Sequence, residues 1–463
     1  MAEPSPAGPT EAQVPGAYRI WFLTLMVLIS AFSVIDRTAV LTLGQAIKQD
    51  LRLSDFQFGL ISGVGFALFY AILGLPLARL ADTWSRVRLI TIAVAIFGVF
   101  AALCGLTRNF VQLMLCRIVV GVGEAGVQPP TVSVISDLYP PRKRGTALAI
   151  LSIGIPVGTL VGPIGGGYLA DATSWRMVFL VLGLPGIVLT ILAMLTLREP
   201  PRGLSEPGGT ATAAGPAPSV KAVLRHLAAK RAFWHIVAAM AVTNFAAAGV
   251  GSFLPQYFSR SFSLGLGLTG VMFGLIGATS ALVGNVSGGV IVDWLSHRDE
   301  RWCCWLPGIG VLAAAPMYVA SFVLPNPILA TGILVVAGAS LFLYFTPTQV
   351  ILQNMVEPRM RGTAAFIFFL VSAMVGLGFG PALLGYISDG WAATAFHLGD
   401  YLASCPGGVA KAGAGASVNA ACHAASAVGL RGSMSVMSCL YVWAAVHFAL
   451  AARTIRRDLM PTV

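Results

Sequence analysis

The chain has 463 residues, of which 57% are apolar and only 10% are Asp, Glu, Lys or Arg. A soluble domain carries about 25% charged residues, so this composition excludes an ordinary water-exposed surface and indicates a protein embedded in lipid. A membrane-spanning helix needs about 20 apolar residues, so there is room for about a dozen spans. The net charge of +11 could suggest nucleic-acid binding, but the distribution of the basic residues argues against it.

Twelve apolar segments are predicted to span the membrane, and they make the fold class all-α. Span one to span six lie near residues 19–43, 56–78, 88–107, 110–136, 146–170 and 176–197; span seven to span twelve lie near 233–257, 268–292, 303–324, 327–354, 363–388 and 434–452. Lys and Arg concentrate in one set of loops, which places both termini in the cytoplasm by the positive-inside rule. Short loops favour a bacterial inner membrane, and no nucleic-acid partner is expected.

The remaining residues are predicted to connect and flank two bundles of six helices. We expect a disordered tail over 1–18, a cytoplasmic linker over 198–232 with a short interfacial helix, and a cytoplasmic tail over 453–463. A long extracytoplasmic loop is expected over 389–432. Cys405 and Cys422 fall in this loop, on the oxidising side, where a disulfide and two free thiols are both open possibilities. The seven cysteines show no metal-binding pattern.

The second half of the sequence repeats the first. The run Pro141-Arg-Lys-Arg-Gly-Thr-Ala returns as Pro358-Arg-Met-Arg-Gly-Thr-Ala, 217 residues later (358 − 141). Gly162-Pro163, Gly167-Tyr168 and Asp171 return 218 residues later (380 − 162) as Gly380-Pro381, Gly385-Tyr386 and Asp389. Two motifs at nearly one offset predict parallel repeats, 19–197 and 233–452, related by an axis along the membrane normal.

Four ionisable residues fall inside predicted spans of the first half: Asp36 and Arg37 in span one, and Arg117 and Glu124 in span four. Such groups are costly in lipid unless they are paired or hydrated, so they are candidates for proton coupling and gating. Counted from the span ends, Asp36 and Arg117 lie at similar depth and could pair, either as a gate or as a purely structural salt bridge. Glu124 is deeper and is predicted to be unpaired, which makes it the main candidate for proton binding.

The loop between spans two and three reads Ala78-Arg-Leu-Ala-Asp82-Thr-Trp-Ser-Arg86 and resembles the loop signature of major facilitator transporters. Ala78 stands where the signature has a glycine. A weaker version in the second half ends at Asp293. The resemblance implies a major facilitator fold in which Asp82, Arg86 and Asp293 act in a conformational switch. Without this resemblance, the loop would be interpreted only as a capped turn between basic residues that anchor the spans at the membrane surface.

The stretch Arg117-Ile-Val-Val-Gly-Val-Gly-Glu124-Ala, continuing to Pro140, resembles the spinster lipid transporters, as does Ile35-Asp36-Arg37. This resemblance covers essentially the whole chain. It implies alternating access that couples protons to the movement of a lysolipid or sphingoid-type amphiphile, with Asp36, Arg117 and Glu124 as the coupling residues. No cofactor is expected beyond the coupling proton.

The second half offers uncharged polar residues among many aromatic ones, and Asn244, Tyr344, Thr346 and Gln349 are predicted to line the substrate cavity. A charged first half could then hold a headgroup while the second half holds an alkyl chain. An exporter of drugs or organic anions on the same fold remains the alternative. A membrane enzyme is disfavoured because no His-x-x-Glu-His pair or nucleophile motif occurs, and a channel because no filter-like loop is recognisable. We expect a monomer surrounded by membrane lipids.

Overall fold

The computed structural model describes residues 14–202, 204, 220–357 and 374–459, together with isolated positions between 360 and 370. Throughout these residues the regular structure is helical. The first half contains helices at Gly16–Thr42, Gly44–Leu51, Asp55–Ser62, Phe69–Thr83, Arg86–Cys104, Phe110–Ala125, Gln128–Leu138, Pro141–Ser152, Gly154–Ala172 and Trp175–Thr196. A π-helical turn at Val64–Leu68 joins the two helices of span two.

The second half follows the same order. Its helices lie at Arg231–Phe262, Leu266–Ser296, Trp302–Val323, Pro327–Phe342, Phe345–Asn354, Phe379–Ala395, Tyr401–Ser404 and Ala416–Asp458, with a π-helical turn at Met374–Gly378 and a 3-10 turn at Pro406–Gly408. A helix lies at Val220–Ala228, within the stretch where a short interfacial helix is predicted. Most of the linker before it, and residues 1–13 of the predicted tail, lie outside the described residues.

Eleven helices in the described part of the chain are long and apolar enough to cross a membrane. They correspond to spans one to ten and span twelve. Span eleven, predicted at 363–388, begins among residues that are mostly outside the described set, and its later part is helical from Met374 to Ala395. The all-α fold with two bundles of six is therefore confirmed in outline.

The loop between spans eleven and twelve is shorter than the sequence predicts. Span eleven continues to Ala395 and the last helix begins at Ala416, so the prediction of a loop over 389–432 was wrong at both ends. The last helix also runs on to Asp458, into the predicted tail. Residues 416–432 are rich in Ala, a strong helix former, but too polar to be recognised as part of a span. Cys405 and Cys422 are joined in a disulfide that ties the remaining loop to this helix.

Several spans start where a short polar side chain caps the helix. Ser54 Oγ accepts from the backbone amide of Gln57, and the Ser54 amide in turn donates to Gln57 Oε1. Ser85, Asn109 and Ser174 accept from amides in the first turns of the helices that follow them. Such caps satisfy amides that the helix itself leaves free, and they fix the residue at which each span begins.

Glycines allow the spans of the first half to pack closely. Span five rests on span one, because a methyl group at Gly154 would lie 2.8 Å from the Val27 carbonyl and one at Gly158 would lie 2.6 Å from the Ala31 carbonyl. Gly98 of span three similarly meets the backbone of Gly186 in span six. Small residues four apart permit this approach of helix backbones in lipid. The glycine series of span five therefore has a direct packing role.

The two halves meet at one end of the bundle, which we call the closed face. Here the ends of spans one and five and the start of span two pack against the ends of spans seven and eleven and the start of span eight. Phe58 and Phe253 pack edge to face across this junction, and one apolar core continues from the first half into the second. At the opposite end, helix Phe69–Thr83 packs on spans three and four of its own half.

Candidate functional site

Two ion pairs join span one to span four inside the first half. Arg117 Nη1 donates to Asp36 Oδ2 at 2.6 Å, which confirms the predicted pairing. Arg37, the next residue along span one, donates through Nε to Glu124 Oε2 at 2.7 Å and also reaches it through Nη2. Ser33, one turn before Arg37, donates to the same Glu124 oxygen at 2.6 Å. Asp36 and Arg37, which are adjacent in span one, thus bind Arg117 and Glu124, which lie two helical turns apart in span four.

The prediction that Glu124 is unpaired was wrong. Its carboxylate is 1% exposed and is bound by Arg37, whose long side chain extends along span one to the depth of Glu124. The Asp36–Arg117 pair also lies wholly within the first half, so it cannot by itself join the two halves as a gate would. These four residues can therefore affect gating only by changing the positions of spans one and four.

Each carboxylate in this cluster keeps one oxygen without a partner. Among the described residues, no hydrogen-bond partner lies within reach of Asp36 Oδ1 or Glu124 Oε1, and both atoms are buried. A buried oxygen without a donor is costly. Asp36 and Glu124 therefore each retain one carboxylate oxygen that the described residues leave unsatisfied.

The two arginines of the cluster also face a cavity between the halves. The guanidinium of Arg37 lies 4.5 Å from the centre of the Phe66 ring, and that of Arg117 lies 5.6 Å from it. The cavity has a volume of about 220 Å³, and its lining includes Arg37, Arg117, Ser62, Ser252, Phe66, Phe273, Val40, Leu41 and Leu377. The Arg37 side chain is 37% exposed, so its positive charge is available to a ligand. The cavity has a cationic wall and apolar walls.

The polar residues predicted for the second half lie elsewhere. Tyr344 donates to Asn244 Oδ1 at 3.0 Å, which links spans seven and ten, and Thr346 donates to the Asn285 carbonyl at 3.2 Å. The cavity between the halves is lined by none of the four predicted residues, Asn244, Tyr344, Thr346 and Gln349. In this conformation the walls contributed by the second half are Ala248, Gly251, Ser252, Phe273, Leu377 and Pro381.

A charged cluster at the closed face joins the halves directly. Arg260 of span seven donates two hydrogen bonds to the carboxylate of Asp55 in span two, at 2.8 and 2.6 Å. Lys48 pairs with the same carboxylate, and Ser388 of span eleven donates to it at 2.7 Å. Burial, and then the neighbouring cation of Arg260, hold the pKa of Lys48 below its ordinary value, against the opposing effect of Asp55. The cluster is therefore a buried ionic contact between the halves.

At the opposite end, Arg86 organises the loop after span two. Its buried guanidinium donates to Glu199 Oε1 at 2.8 Å, to Ser133 Oγ at 3.0 Å and to the Pro200 carbonyl at 2.9 Å, and it pairs with Asp137. Burial opposes ionisation of Glu199, but hydrogen bonds from the Val87 amide, Arg86 and Ser85 outweigh this and hold its pKa below the usual value. Arg86 thus ties spans three and four to the segment after span six.

Asp82 and Asp293 have no such role in this conformation. Both are exposed, and within the described part of the chain no partner is found for either carboxylate. The backbone carbonyl of Asp82 accepts from Arg202. The structure therefore places Arg86 in a stable network and leaves the two aspartates free to form contacts in another conformation.

Comparison with known proteins gives the family of this chain. Residues 26–381 match the model of the Major Facilitator Superfamily. The chain belongs to that superfamily. A crystal structure of a bacterial homologue of the human lysosomal transporter spinster, inward-facing and unoccupied, superimposes with a TM-score of 0.90 at 31% identity, covering 97% of this chain and 100% of that one. The fold is therefore that of a major facilitator transporter of the spinster type.

Two relatives differ in the kind of transporter that their names state. An MFS-type efflux pump of Mycolicibacterium smegmatis is 30% identical over 84% of this chain and 89% of its own length. The sphingosine-1-phosphate transporter SPNS2 of Danio rerio is 26% identical over 76% of this chain and 73% of its own length. This spinster-type protein is thus a multi-pass membrane transporter, and the relatives it is similar to include both a lipid carrier and an efflux pump.

Sequence reasoning missed the residues that close the spinster-type bundle. Lys48, Asp55 and Arg260 lie at or near span ends, where a charge is usually a solvated membrane anchor, so no single residue signalled a buried contact. Glu199 was missed for the same reason. The available signal was the repeat itself, because Asp171 and Asp389 recur at equivalent positions and both lie at this interface.

Proposed function

We propose that this transporter moves an amphiphile of the lysolipid or sphingoid type by alternating access, coupled to protons. The observation that carries the proposal is the cavity between the halves, in which two arginines form one wall and apolar side chains form most of the rest. An anionic headgroup would neutralise Arg37 and Arg117, while the chain would contact apolar surface. The name of the Danio rerio relative supports a phosphorylated sphingoid lipid as a model substrate.

Proton coupling follows from a competition for Arg37. In the structure its guanidinium is held by Glu124 and, at the same time, is partly exposed to the cavity. A proton on Glu124 would remove the negative charge and weaken this hold, so that Arg37 could bind a headgroup instead. Substrate binding and protonation of Glu124 would then favour each other, and linkage requires that this coupling be reciprocal.

The test is transport of a labelled lysophospholipid into proteoliposomes under an imposed pH gradient. Wild type should accumulate label faster with the gradient than without it. Glu124→Gln should transport at a rate that no longer depends on the gradient, and Arg37→Ala should lose transport. Gradient-independent transport by wild type would refute proton coupling, and no lysolipid transport under any gradient would refute the substrate class.

The alternative is export of drugs or organic anions, favoured by the name of the Mycolicibacterium smegmatis relative. A competition assay separates these two functions. If the cavity binds an alkyl chain, an anionic dye without such a chain should compete only weakly with labelled lysolipid. We further propose an inner-membrane location with both termini cytoplasmic, and function as a monomer. Protease accessibility of terminal tags in right-side-out vesicles tests the orientation, and the mass of the detergent-solubilised protein tests the monomer.

A further inference from the structure

A repeated motif, Gly-Tyr-x-x-Asp, ends span five and span eleven and has no part in the proposed transport chemistry. It reads Gly167-Tyr168 to Asp171 in the first half and Gly385-Tyr386 to Asp389 in the second. Each copy lies against the first turn of a helix that belongs to the other half. The partner of the first copy is span eight, which begins at Leu266, and the partner of the second is span two, which begins at Asp55.

The aspartates cap these helices across the interface. Asp171 accepts from the amides of Leu266 and Gly267 at 3.0 and 2.8 Å. Asp389 accepts from the amides of Asp55 and Phe56, both at 2.9 Å. The first amides of a helix have no partner within it, and a negative charge is favourable beside them. Each half therefore supplies a cap to a helix of the other half, and on span two this cap adds to the one that Ser54 provides from its own segment.

The glycines make this contact possible. A methyl group at Gly167 would overlap the Leu266 carbonyl, and one at Gly385 would overlap the Asp55 carbonyl. The symmetry extends one turn deeper, where Gly270 of span eight meets the Pro163 carbonyl and Gly59 of span two meets the Pro381 carbonyl. A close backbone approach is needed before a short Asp side chain can reach across to the amides.

The tyrosines complete each contact. Tyr386 packs edge to face on Phe56, with ring centres 6.2 Å apart, and the ring of Tyr168 lies directly against Gly267. Both copies of the motif therefore use glycine for approach, aspartate for capping and tyrosine for apolar contact.

We propose that the two motifs form a matched pair of inter-half clamps that set how strongly the closed face is favoured over its open state. Each clamp can exist only while the face is closed, because every contact in it joins one half to the other. Both must release when the halves separate as rigid bodies, so losses in the two clamps should multiply. The clamps are independent of the transported substrate and of proton coupling.

The two clamps differ in the charged residues near their aspartates, so one of them can be tested without altering the ionic cluster at the closed face. Asp389 lies beside the Lys48–Asp55–Arg260 cluster, so its loss would also alter those charges. Asp171 contacts the backbone of Leu266 and Gly267. Substitutions at Gly167 and Asp171 therefore measure a clamp alone.

The experiment measures the distance across the closed face with spin labels at Leu106 and Ile328, two exposed positions on opposite halves. The five free cysteines are first replaced with Ser. Gly167→Ala and Gly385→Ala are compared with Gly165→Ala and Gly390→Ala, because a methyl group at either control position meets open space in the same helix. Each clamp substitution should shift the ratio of open to closed states at least fivefold, the double substitution at least 25-fold, and the controls should match wild type.

The aspartates provide a second test. Asp171→Asn should shift the same ratio in the same direction, because it removes the negative charge from the helix start. Asp400→Asn is the control, since Asp400 caps the amide of Ala403 within its own half. If Gly167→Ala behaves like Gly165→Ala, or Asp171→Asn behaves like Asp400→Asn, the clamp proposal is overturned.

If a glycine variant folds poorly, substitutions at Leu266 test the backbone amides that donate to Asp171. Proline is well tolerated at the first position of a helix, and Gly265 already has the extended backbone that precedes proline. Leu266→Pro removes one of the two amides that Asp171 binds, while Leu266→Ala keeps both, so the proline variant should favour the open state more. Equal distance distributions for these two variants would also overturn the proposal. A shift without any lysolipid transport would refute the proposed function and leave the clamps standing.

Discussion

Replacing Asp55 with Asn removes the negative charge around which the closed face is assembled. This carboxylate binds both Nη atoms of Arg260 and pairs with Lys48, and all three groups are buried at the junction of the halves. The Asn side chain has nearly the same size but leaves the two cations with one anion fewer. Both cations would be hydrated once the face opened, so the penalty applies to the closed state.

The size of the effect follows from the cost of a buried charge that loses its partner, which is about 3–5 kcal/mol. Arg260 cannot release its proton, whereas Lys48 can, and burial together with Arg260 already holds the pKa of Lys48 below its ordinary value. Deprotonation of Lys48 would limit the cost to the lower end of that range, about 3 kcal/mol. At 1.4 kcal/mol for each tenfold change, Asp55→Asn should favour the open state by about a hundredfold.

The distance between labels at Leu106 and Ile328 measures this shift. Asp50→Asn is the matched control, because Asp50 pairs with Arg176 within the first half and both side chains are partly exposed. An exposed pair of this kind contributes about 0–1 kcal/mol, so the control should keep the wild-type distance distribution. The reasoning is refuted if Asp55→Asn leaves the distribution unchanged, or if Asp50→Asn changes it equally.

Three further predictions concern the other charged groups. Glu124→Gln should abolish the pH response of the Leu106–Ile328 distance, because the proton acceptor is gone; a full wild-type response would assign coupling to Asp36 or elsewhere. Asp82→Asn should favour the conformation described here, in which the carboxylate is exposed, and so shorten the mean Leu106–Ile328 distance; a shift toward the open face would contradict this. Glu199→Gln should lower the thermal unfolding temperature at pH 7, since a carboxyl with a lowered pKa stabilises the fold above its unfolded pKa. That difference should disappear as the pH falls below about 4, the ordinary Glu range, and a difference that persisted in acid would refute it.

The spans and the repeat could be predicted because both leave a local signal in the sequence. Apolar length identifies spans one to ten, and the recurrence of Pro141–Ile150 and Gly162–Asp171 indicates two equivalent halves. The pairing of Asp36 with Arg117 could be predicted because counting residues from the span ends gives depth at 1.5 Å per residue. Depth along the membrane is thus readable from sequence.

The partner of Glu124 could not be predicted in the same way. Depth counting locates Cα atoms, but the Arg37 side chain is long enough to bind a carboxylate well away from its own Cα position. The contacts of Asp55 were also inaccessible, because they depend on how two distant halves pack together. Contacts within one helix pair follow from spacing, whereas contacts between the halves follow from the conformation that the transporter adopts.

The disulfide-bound turn at Pro406–Gly408 has a practical consequence. Its bond from Cys405 to Cys422 anchors it to the last helix of the second half, while Gly407, at φ +75°, lies against the Lys48 carbonyl of the first half. Beside this contact, Gln49 and Arg52 of the first half and Lys411 and Ala412 of the second are exposed and line one surface groove, which forms a composite epitope. An antibody fragment selected against both parts at once would bind a single state of the transport cycle, and could serve to trap it for imaging or to report its abundance in native membranes.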